Sequence, residues 1–259
     1  MKGEVFFESH DDGRISAAVL NRPAKRNAIS PALAAALMAV LENALTDRSH
    51  VFLLRSAAPG VFCAGFDINF IGTDQEEAGE AAMSDCIAKI DAAAKVTVAF
   101  ADGFVFGGGN ELFLSADLRL ATPRTTFRIT PARLGVVYSY RGLSRFVRAM
   151  GNTATMEMLL AARMLTAEEA LRAGLVTRIV ADETAALSYC REVASLAPLS
   201  QQAMKAIMKQ LAGAVVPDQA PAEAMSRLAT LRRAAEQSED RREGKRAFME
   251  KREPRFVGR

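Results

Sequence analysis

The 259-residue sequence has few of the residues on which metal centres and disulfide frameworks depend. It contains two histidines, His10 and His50, and three cysteines, Cys63, Cys86 and Cys190, without a CxxC pair. The histidines lie far apart along the chain and cluster with no cysteine, so we predict that the protein binds no metal. An odd number of dispersed cysteines argues against a disulfide framework and favours a cytoplasmic protein.

Several common motifs are also missing. No apolar run is long enough to cross a membrane, and the N-terminus has no signal-peptide pattern. The sequence lacks the GxxxxGK[ST] of a P-loop and the GxSxG of a serine hydrolase. Its one glycine run has Leu112 where a dinucleotide-binding fingerprint needs a third glycine. These absences remove the P-loop NTPase, serine hydrolase and dinucleotide-binding classes.

The net charge of +3 is concentrated at the C-terminus. From Arg241 to Arg259 there are eight Lys or Arg and three Glu, a local charge of +5. A basic tail of this kind can meet nucleic acid, an acidic surface or a phosphorylated ligand. A solvated helix face explains it equally well.

Hydrophobic patterning predicts an α/β core followed by helices. Two short strands flank the DDGR turn, and Ser30 and Pro31 begin a helix predicted over residues 29–45. PGVFCAGFDINFI is predicted as a loop that closes into a short helix, and residues 74–95 as a helix. Further strands are predicted at HVFLLRSA, VTVAFADG, DLRLAT, TTFRIT and AGLVTRIV, and further helices at NELFLSA, GLSRFVRAM, TATMEMLLAA and TAEEALRAG. From Glu183 onward nearly everything is predicted helical. We divide the chain into a core, residues 1–195, and a helical C-terminal region, residues 196–259.

The stretch GFVFGGGNELFLSAD, residues 103–117, carries the first chemical signal. Gly107, Gly108 and Gly109 lie between a predicted strand and a predicted helix. Without side chains, their backbone N–H groups can approach a ligand closely, and a helix start leaves such donors unpaired. Negatively charged oxygen suits this place, with Glu111 one turn away as an acid-base group. Tight packing of a strand against a helix is the alternative explanation for the glycines.

Five motifs in order along nearly the whole chain resemble the crotonase (enoyl-CoA hydratase/isomerase) superfamily. They are NRPAKRNA, FCAGFD, GGGNE, RAGLVTRIV and EGKRAFMEKREPRFVGR. The resemblance implies a spiral of strand-strand-helix repeats with C-terminal helices that form a homotrimer or a dimer of trimers. It also implies an acyl-CoA thioester as the substrate, with no further cofactor, no membrane partner and no nucleic-acid partner.

The resemblance further implies roles for individual residues. The backbone N–H groups of Phe66 and Gly108 would hold the thioester oxygen, and Glu111 would be the acid-base group. The positions that would contact the CoA-thioester substrate are Ala24, Lys25, Ala64, Asp67, Ile68 and Pro131. Lys25 and Arg26 are either phosphate-facing charges or solvated loop cations. Under the same resemblance, Lys251 or Arg255 would approach the 3′-phosphate.

The sequence departs from the hydratase pattern at one position. Hydratases of this family hold a water between two glutamates, and Pro131 stands where the second glutamate belongs. From Leu118 through Met156 there is no Asp or Glu at all. The loss of one acid-base group typically costs ~10²–10⁴ in rate. Hydration by the two-carboxylate route is therefore expected to be crippled.

Two aromatic residues point to other branches of the family. Tyr138 lies where the methylmalonyl-CoA decarboxylase branch carries a tyrosine, and its hydroxyl would orient a departing carboxylate. The alternative is a wall residue whose hydroxyl reaches water or backbone. Phe66 replaces a small residue common in hydratases and would narrow the acyl pocket.

Three hypotheses follow from the sequence. The first is an acyl-CoA enzyme of the enoyl-CoA hydratase/isomerase type that stabilises a thioester enolate. The second is a (methyl)malonyl-CoA decarboxylase-like enzyme. The third is a non-catalytic member of the fold that binds RNA or a protein through its basic tail.

Overall fold

A computed structural model describes residues 3–70, 73–215 and 237–255, together with residues 226, 229, 230, 233 and 234. Ile71, the last residue of PGVFCAGFDINFI, and the last four residues of the C-terminal motif lie outside these ranges, as do most residues predicted helical between 216 and 236. Within the described part of the chain, no helix is long and apolar enough to cross a bilayer.

Ten strands of the described chain form two sheets. In the six-stranded sheet the order along the sheet is β1 (Val5–His10), β2 (Ile15–Leu20), β3 (Val51–Ser56), β5 (Val96–Ala101), β7 (Leu118–Ala121) and β10 (Arg178–Ile179). In the four-stranded sheet it is β4 (Val61–Cys63), β6 (Phe104–Phe106), β8 (Thr126–Arg128) and β9 (Met164–Thr166). Only the β1–β2 and β8–β9 pairs are antiparallel.

Helices follow the strand pairs. They are α1 (Pro31–Ala44), α2 (Glu76–Ala92), α3 (Gly108–Leu114), α4 (Pro131–Leu134), α5 (Tyr140–Leu160), α6 (Ala167–Ala173), α7 (Glu183–Ala194), α8 (Pro198–Val215) and α9 (Glu239–Met249). The units β3–β4–α2 and β5–β6–α3 each add one strand to each sheet and then a helix. The predicted spiral of strand-strand-helix repeats is therefore confirmed.

The core lies on both faces of the larger sheet. One face packs against α1, α2 and α3, and the other packs against α7 through Val193 and Cys190. Every residue of β2 is buried because the strand is covered on both faces. This burial explains its nearly unbroken apolar run.

The local predictions hold for the long elements and for some short ones, including β8 and β10. Ser30 caps α1 as predicted, since its Oγ accepts a hydrogen bond from Leu33 N at 3.1 Å. The strands β4, β6 and β9 have three residues each and were not predicted, because so short a segment shows no periodicity.

The short helix predicted after PGVFC is wrong: β4 is followed by a bridge at Phe66 and a turn. The two helices predicted around residue 151 are joined as α5, with a kink at Gly151. The division at residue 195 stays a prediction.

Gly103, before β6, packs against Gly60, before β4, and its substitution tests that contact. It has φ +102°, and an added Cβ would lie 2.0 Å from the Gly60 carbonyl oxygen. We expect Gly103→Ala to lower the free energy of unfolding by more than ~3 kcal/mol in chemical denaturation. The control Gly13→Ala, with φ +84° and open space around it, should lose only the left-handed strain of about 1–2 kcal/mol. Equal losses in the two variants would contradict the packing argument.

Candidate active site

Two backbone segments meet where β4 ends and α3 begins. Gly65 has φ +90°, and a Cβ there would lie 2.9 Å from the Phe106 carbonyl oxygen and 3.2 Å from Gly108 N. Gly107, with φ +52° and ψ −131°, has a conformation that favours glycine. A Cβ on Gly109 would lie 2.8 Å from Cys63 Cβ. Tight packing thus accounts for the glycines, and the same packing brings two backbone amides together.

These amides belong to Phe66 and Gly108. Ile29 N–H donates to Gly65 O at 2.7 Å, and Asp67 N–H donates to Ile29 O at 2.8 Å. Because successive peptide groups of an extended segment alternate in direction, the N–H of Phe66 faces away from Ile29. Gly108 is the first residue of α3, where an N–H has no partner within the helix. Among the described residues, neither amide donates a hydrogen bond to the protein.

The ring of Phe66 lies directly against Gly108. A Cβ on Gly108 would be 2.6 Å from Phe66 Cε2 and 3.4 Å from Ile29 Cδ1. The aromatic ring therefore occupies the space beside the second amide. Any acyl chain held between these amides would contact the Phe66 ring.

Asn110 holds the glycine run in place and was not predicted from the sequence. It is fully buried, and its Nδ2 lies 3.0 Å from Val105 O, 3.2 Å from Gly107 O and 3.0 Å from Arg128 O. These contacts join the start of α3 to β6 and to the end of β8. An asparagine directly after three glycines was the available signal, because Asn side chains often hydrogen-bond to nearby backbone.

Glu111 and Tyr138 lie next to this backbone contact. Glu111 Oε2 is 2.5 Å from the position of a Cβ on Gly142, at the start of α5, and the Tyr138 hydroxyl is 3.9 Å from the position of a Cβ on Gly107. Burial raises the pKa of Tyr138 well above its usual value, and the nearby carboxylates of Glu111 and Glu80 raise it further. Tyr138 is therefore a protonated hydrogen-bond donor at neutral pH. The sequence prediction missed Gly142 and Glu80.

Pro131 and the segment before Tyr138 are held by the C-terminal helix. Pro131 is the first residue of α4, a favourable position for proline. Gly135 ends α4 with φ +65°, and a Cβ there would lie 2.6 Å from Arg241 Cα in α9. A Cβ on Gly244 would lie 2.8 Å from Arg133 O. Glycines on both sides thus let the backbones of α4 and α9 touch.

Ion pairs occupy many charges of the basic tail. Arg241 binds Glu76 of α2, with Nη2 2.6 Å from Oε2. Glu243 pairs with Arg252 and Arg246 and accepts the N–H of Arg255. These hydrogen bonds, those of Arg252 first, hold the pKa of Glu243 well below its usual value. Phosphate contacts from Lys251 or Arg255 stay a prediction.

The segments predicted to contact CoA lie together beside the site. Ala24 and Lys25 are exposed on a 3₁₀ turn, and the carbonyl of Arg26, the next residue, accepts the N–H of Ala64 at 3.0 Å. Buried Asn27 donates to Phe62 O at 2.9 Å and fixes the turn against β4. The structure brings these segments to one edge of the site, but their contact with CoA stays a prediction.

The Asp67 side chain has a structural role. Its carboxylate is buried and accepts hydrogen bonds from Arg22 Nη1 at 3.1 Å and Asn69 Nδ2 at 2.8 Å. Any contact with substrate from Asp67 would therefore come through its backbone. Ile68, the next residue, is half-buried. No group of three or more His, Cys, Asp or Glu in the described part of the chain could hold a metal ion.

The fold and this paired backbone contact define a crotonase-type protein. The chain belongs to the enoyl-CoA hydratase/isomerase family, whose model matches residues 12–259. The resemblance seen in the sequence is thus confirmed, and the chain is an acyl-CoA enzyme of the crotonase type.

Individual relatives cover nearly the full chain. The chain is 32% identical to a 2,3-dehydroadipyl-CoA hydratase of Escherichia coli (strain K12) over 95% of its own length and 96% of the relative. It is 34% identical to an (E)-benzylidenesuccinyl-CoA hydratase of Thauera aromatica, over 92% and 94%. It is also similar to a solved structure of methylmalonyl-CoA decarboxylase complexed with 2S-carboxypropyl-CoA, with a TM-score of 0.90, 28% identity and 100% coverage of both chains.

Gly244→Ala tests the contact between α9 and α4. Alanine is the better helix former by about 1 kcal/mol, so propensity alone would stabilise the protein. Because the added Cβ meets the backbone of Arg133 and Leu134, we expect a net loss of roughly 1–3 kcal/mol in the free energy of unfolding. Gly213→Ala in α8 is the control, since nothing lies within 4 Å of its Cβ position. A gain in both variants would show that α9 does not pack on α4.

Proposed function

We propose that the protein acts on an acyl-CoA thioester through an enolate held by the backbone N–H groups of Phe66 and Gly108. One observation carries this proposal: two amides that find no acceptor among the described residues lie on segments in direct contact, and Glu111 follows one of them, Gly108, by one helical turn. Enoyl-CoA hydratase or isomerase chemistry is the function that this geometry supports best. The family membership and the hydratase relatives agree with it.

The chemistry follows from where charge develops. When a proton leaves or reaches the α-carbon of a thioester, negative charge develops on the carbonyl oxygen. Fixed donors stabilise that charged oxygen more than the neutral carbonyl, and each is worth on the order of 3 kcal/mol of barrier. Glu111 is the group that transfers the proton. Phe66 limits the acyl groups that fit, because its ring lies against Gly108.

We assign binding of the CoA portion to the edge of the site formed by the 3₁₀ turn at Lys25 and the segment after β4. Ala24, Lys25 and Ala64 lie on segments that are hydrogen-bonded to each other, and Ile68 follows shortly after. Lys25 is exposed and can face a phosphate. No further cofactor is needed for proton transfer of this kind, and cytoplasmic residence stays a prediction from the sequence.

Decarboxylation is the second candidate, and Tyr138 favours it. Its protonated hydroxyl lies beside Gly107, where it can orient a carboxylate. Loss of CO₂ leaves the bonding electron pair on the same thioester enolate, so the same amides serve. The similarity to a methylmalonyl-CoA decarboxylase structure supports this alternative. A non-catalytic RNA-binding role has less support, because Arg241, Arg246 and Arg252 pair with carboxylates of the same chain.

A panel of acyl-CoA thioesters assayed by mass spectrometry separates these candidates. We expect turnover of an enoyl-CoA, reduced ~10²–10⁴-fold in Glu111→Gln. Gly108→Val should reduce kcat by a similar factor, because bulk at this position displaces the oxygen from the amides. Glu168→Gln, an exposed carboxylate on α6, is the control. Turnover confined to malonyl- or methylmalonyl-CoA and lost in Tyr138→Phe would instead support decarboxylation.

We further propose that α8 forms the interface of a homotrimer or a dimer of trimers. One side of α8 is held to its own subunit by Lys205, which pairs with Asp117 at 2.5 Å. The other side carries apolar side chains that are more than half exposed: Leu199, Met204, Ile207, Met208 and Leu211. Exposed apolar surface of this extent is typical of subunit interfaces.

Met208→Asp tests the interface. A buried, unpaired carboxylate is strongly unfavourable, so we expect this variant to be monomeric in size-exclusion chromatography with light scattering. Leu171→Asp places the same charge on an exposed apolar position of α6 and should leave the assembly intact. A monomeric wild type, or dissociation by both variants, would contradict the assignment to α8.

A further inference from the structure

We propose that Glu80 of α2 is a second proton-transferring carboxylate of the site, acting with Glu111 beside Tyr138. This inference rests on the enolate function proposed above. It assigns to α2 the acid-base group that the segment from Leu118 to Met156 lacks. The assignment depends on the face that α2 turns inward, on the neighbours of its first turns and on the charge around Tyr138.

The inward face of α2 runs through Glu80. Residues Met83, Ile87 and Ile90 are buried against the core at helical spacing. Glu76 and Glu80 continue the same face toward the start of the helix, at i and i+4, and both are half-buried. Their neighbour Glu77 is exposed. Glu80 therefore extends from the side of α2 that faces the protein.

Two contacts place the first turns of α2 beside the site. Glu76 binds Arg241, whose Cα lies against Gly135, three residues before Tyr138. Gly79 packs against Pro31, with its Cβ position 3.6 Å from Pro31 Cγ. Pro31 lies two residues after Ile29, which contacts Gly108. These contacts thus connect the start of α2 both to the residues that pack on Gly108 and to the segment that carries Tyr138.

The charge around Tyr138 agrees with this placement. Besides burial, three titratable groups raise the pKa of its hydroxyl electrostatically: Glu111 from α3, Glu80 from α2 and Cys63 from β4. Burial raises the pKa of the Cys63 thiol to about 12, so this group is neutral at physiological pH. Glu111 and Glu80 are therefore the carboxyl groups that act on the phenol.

Two carboxylates allow a complete hydration step. One takes a proton from water, the water oxygen bonds to the β-carbon, and the electron pair of the double bond moves to the thioester oxygen. The other group begins the step as a carboxylic acid and gives its proton to the α-carbon, so the carbonyl re-forms and one water has been added. The proton taken up by the first carboxylate returns to the second before the next turnover. In isomerisation the same pair removes a proton at one carbon and delivers it at another.

The two carboxyl groups of Glu80 and Glu111 also affect which substrate is favoured. A malonyl-type carboxylate beside Tyr138 would add a negative charge next to a pair of carboxyl groups of which at least one is ionised, which is unfavourable in a partly buried site. Glu80 therefore shifts the balance from decarboxylation toward hydration or isomerisation. This consequence separates the inference from the second candidate function.

The kinetic test compares Glu80→Gln with Glu77→Gln, its exposed neighbour on α2. With the enoyl-CoA that wild type converts, we expect Glu80→Gln to lower kcat at least ~10²-fold. KM should change less than about threefold, because the carboxylate acts in the transition state. The pH profile of kcat should lose one ionisation. Glu77→Gln should match wild type in all three measurements.

A second measurement tests the placement without turnover. Ring-fluorinated tyrosine incorporated into the protein reports the three tyrosines by ¹⁹F NMR, and Tyr138→Phe assigns the signal. We expect Glu80→Gln to lower the titration midpoint of Tyr138, because a negative charge is removed from beside the phenol. Glu77→Gln should leave that midpoint unchanged.

The outcomes separate the inference from the function on which it rests. An unchanged Tyr138 midpoint in Glu80→Gln, or a wild-type kcat in that variant, overturns the role of Glu80 and leaves the enolate function standing. A wild type that converts no thioester overturns the enolate function and the proton-transfer role together. A loss of kcat combined with a shifted midpoint supports the proposal.

Discussion

The site depends on one contact, the close approach of the backbone after β4 to the backbone at the start of α3. A Cβ at Gly65, Gly108 or Gly109 would lie within about 3 Å of atoms across this contact. Real Cβ atoms do not approach other atoms so closely, so glycine is needed on both sides. The contact joins two successive turns of the spiral. It therefore sets the relative position of the two amides before any ligand is bound, which is the preorganisation that stabilisation of an oxyanion requires.

The chemical side chains are supplied by separate elements around this contact. Glu111 is fixed by its place in α3, one turn after Gly108. Tyr138 follows α4, whose backbone touches α9 through Gly135 and Gly244. Arg241 of α9 in turn binds Glu76 of α2. The C-terminal helix α9 thus connects the segment that carries Tyr138 to α2. A change in the packing of α9 would therefore affect both. This connection gives the basic tail a structural role, since its arginines pair within the chain.

The order of local patterns predicted the repeat and placed Glu111 at the start of a helix, because both depend on neighbouring residues. The pairing of FCAGFD with GGGNE came from the family resemblance. Ser30 and Pro31 specify the start of α1 locally, and the run through β2 shows its burial on both faces. The three-residue strands β4, β6 and β9 were missed because they form only through partners that are distant in the chain, whereas β8 was predicted within the longer pattern TTFRIT. Gly142 and Glu80 were missed for the same reason. Gly142 lies far in sequence from Glu111, and Glu80 lies far from both Tyr138 and Glu111, so only the folded chain brings these residues together.

Pro131 shows that a group missing from one segment of the sequence can be supplied in space by another segment. A search confined to the segment around Pro131 finds no acid over residues 118–156 and predicts a site with one carboxylate. Proline there suits the first turn of α4, where its fixed φ and missing N–H cost nothing. It stiffens the segment that ends at Tyr138 instead of supplying a charge. A proton-transfer site needs a carboxylate within reach of the reacting carbon, and it does not matter which strand-helix unit supplies it. In this protein Glu80 of α2 raises the pKa of Tyr138 together with Glu111, so the loss of an acid at position 131 does not leave Glu111 as the only carboxylate near the phenol.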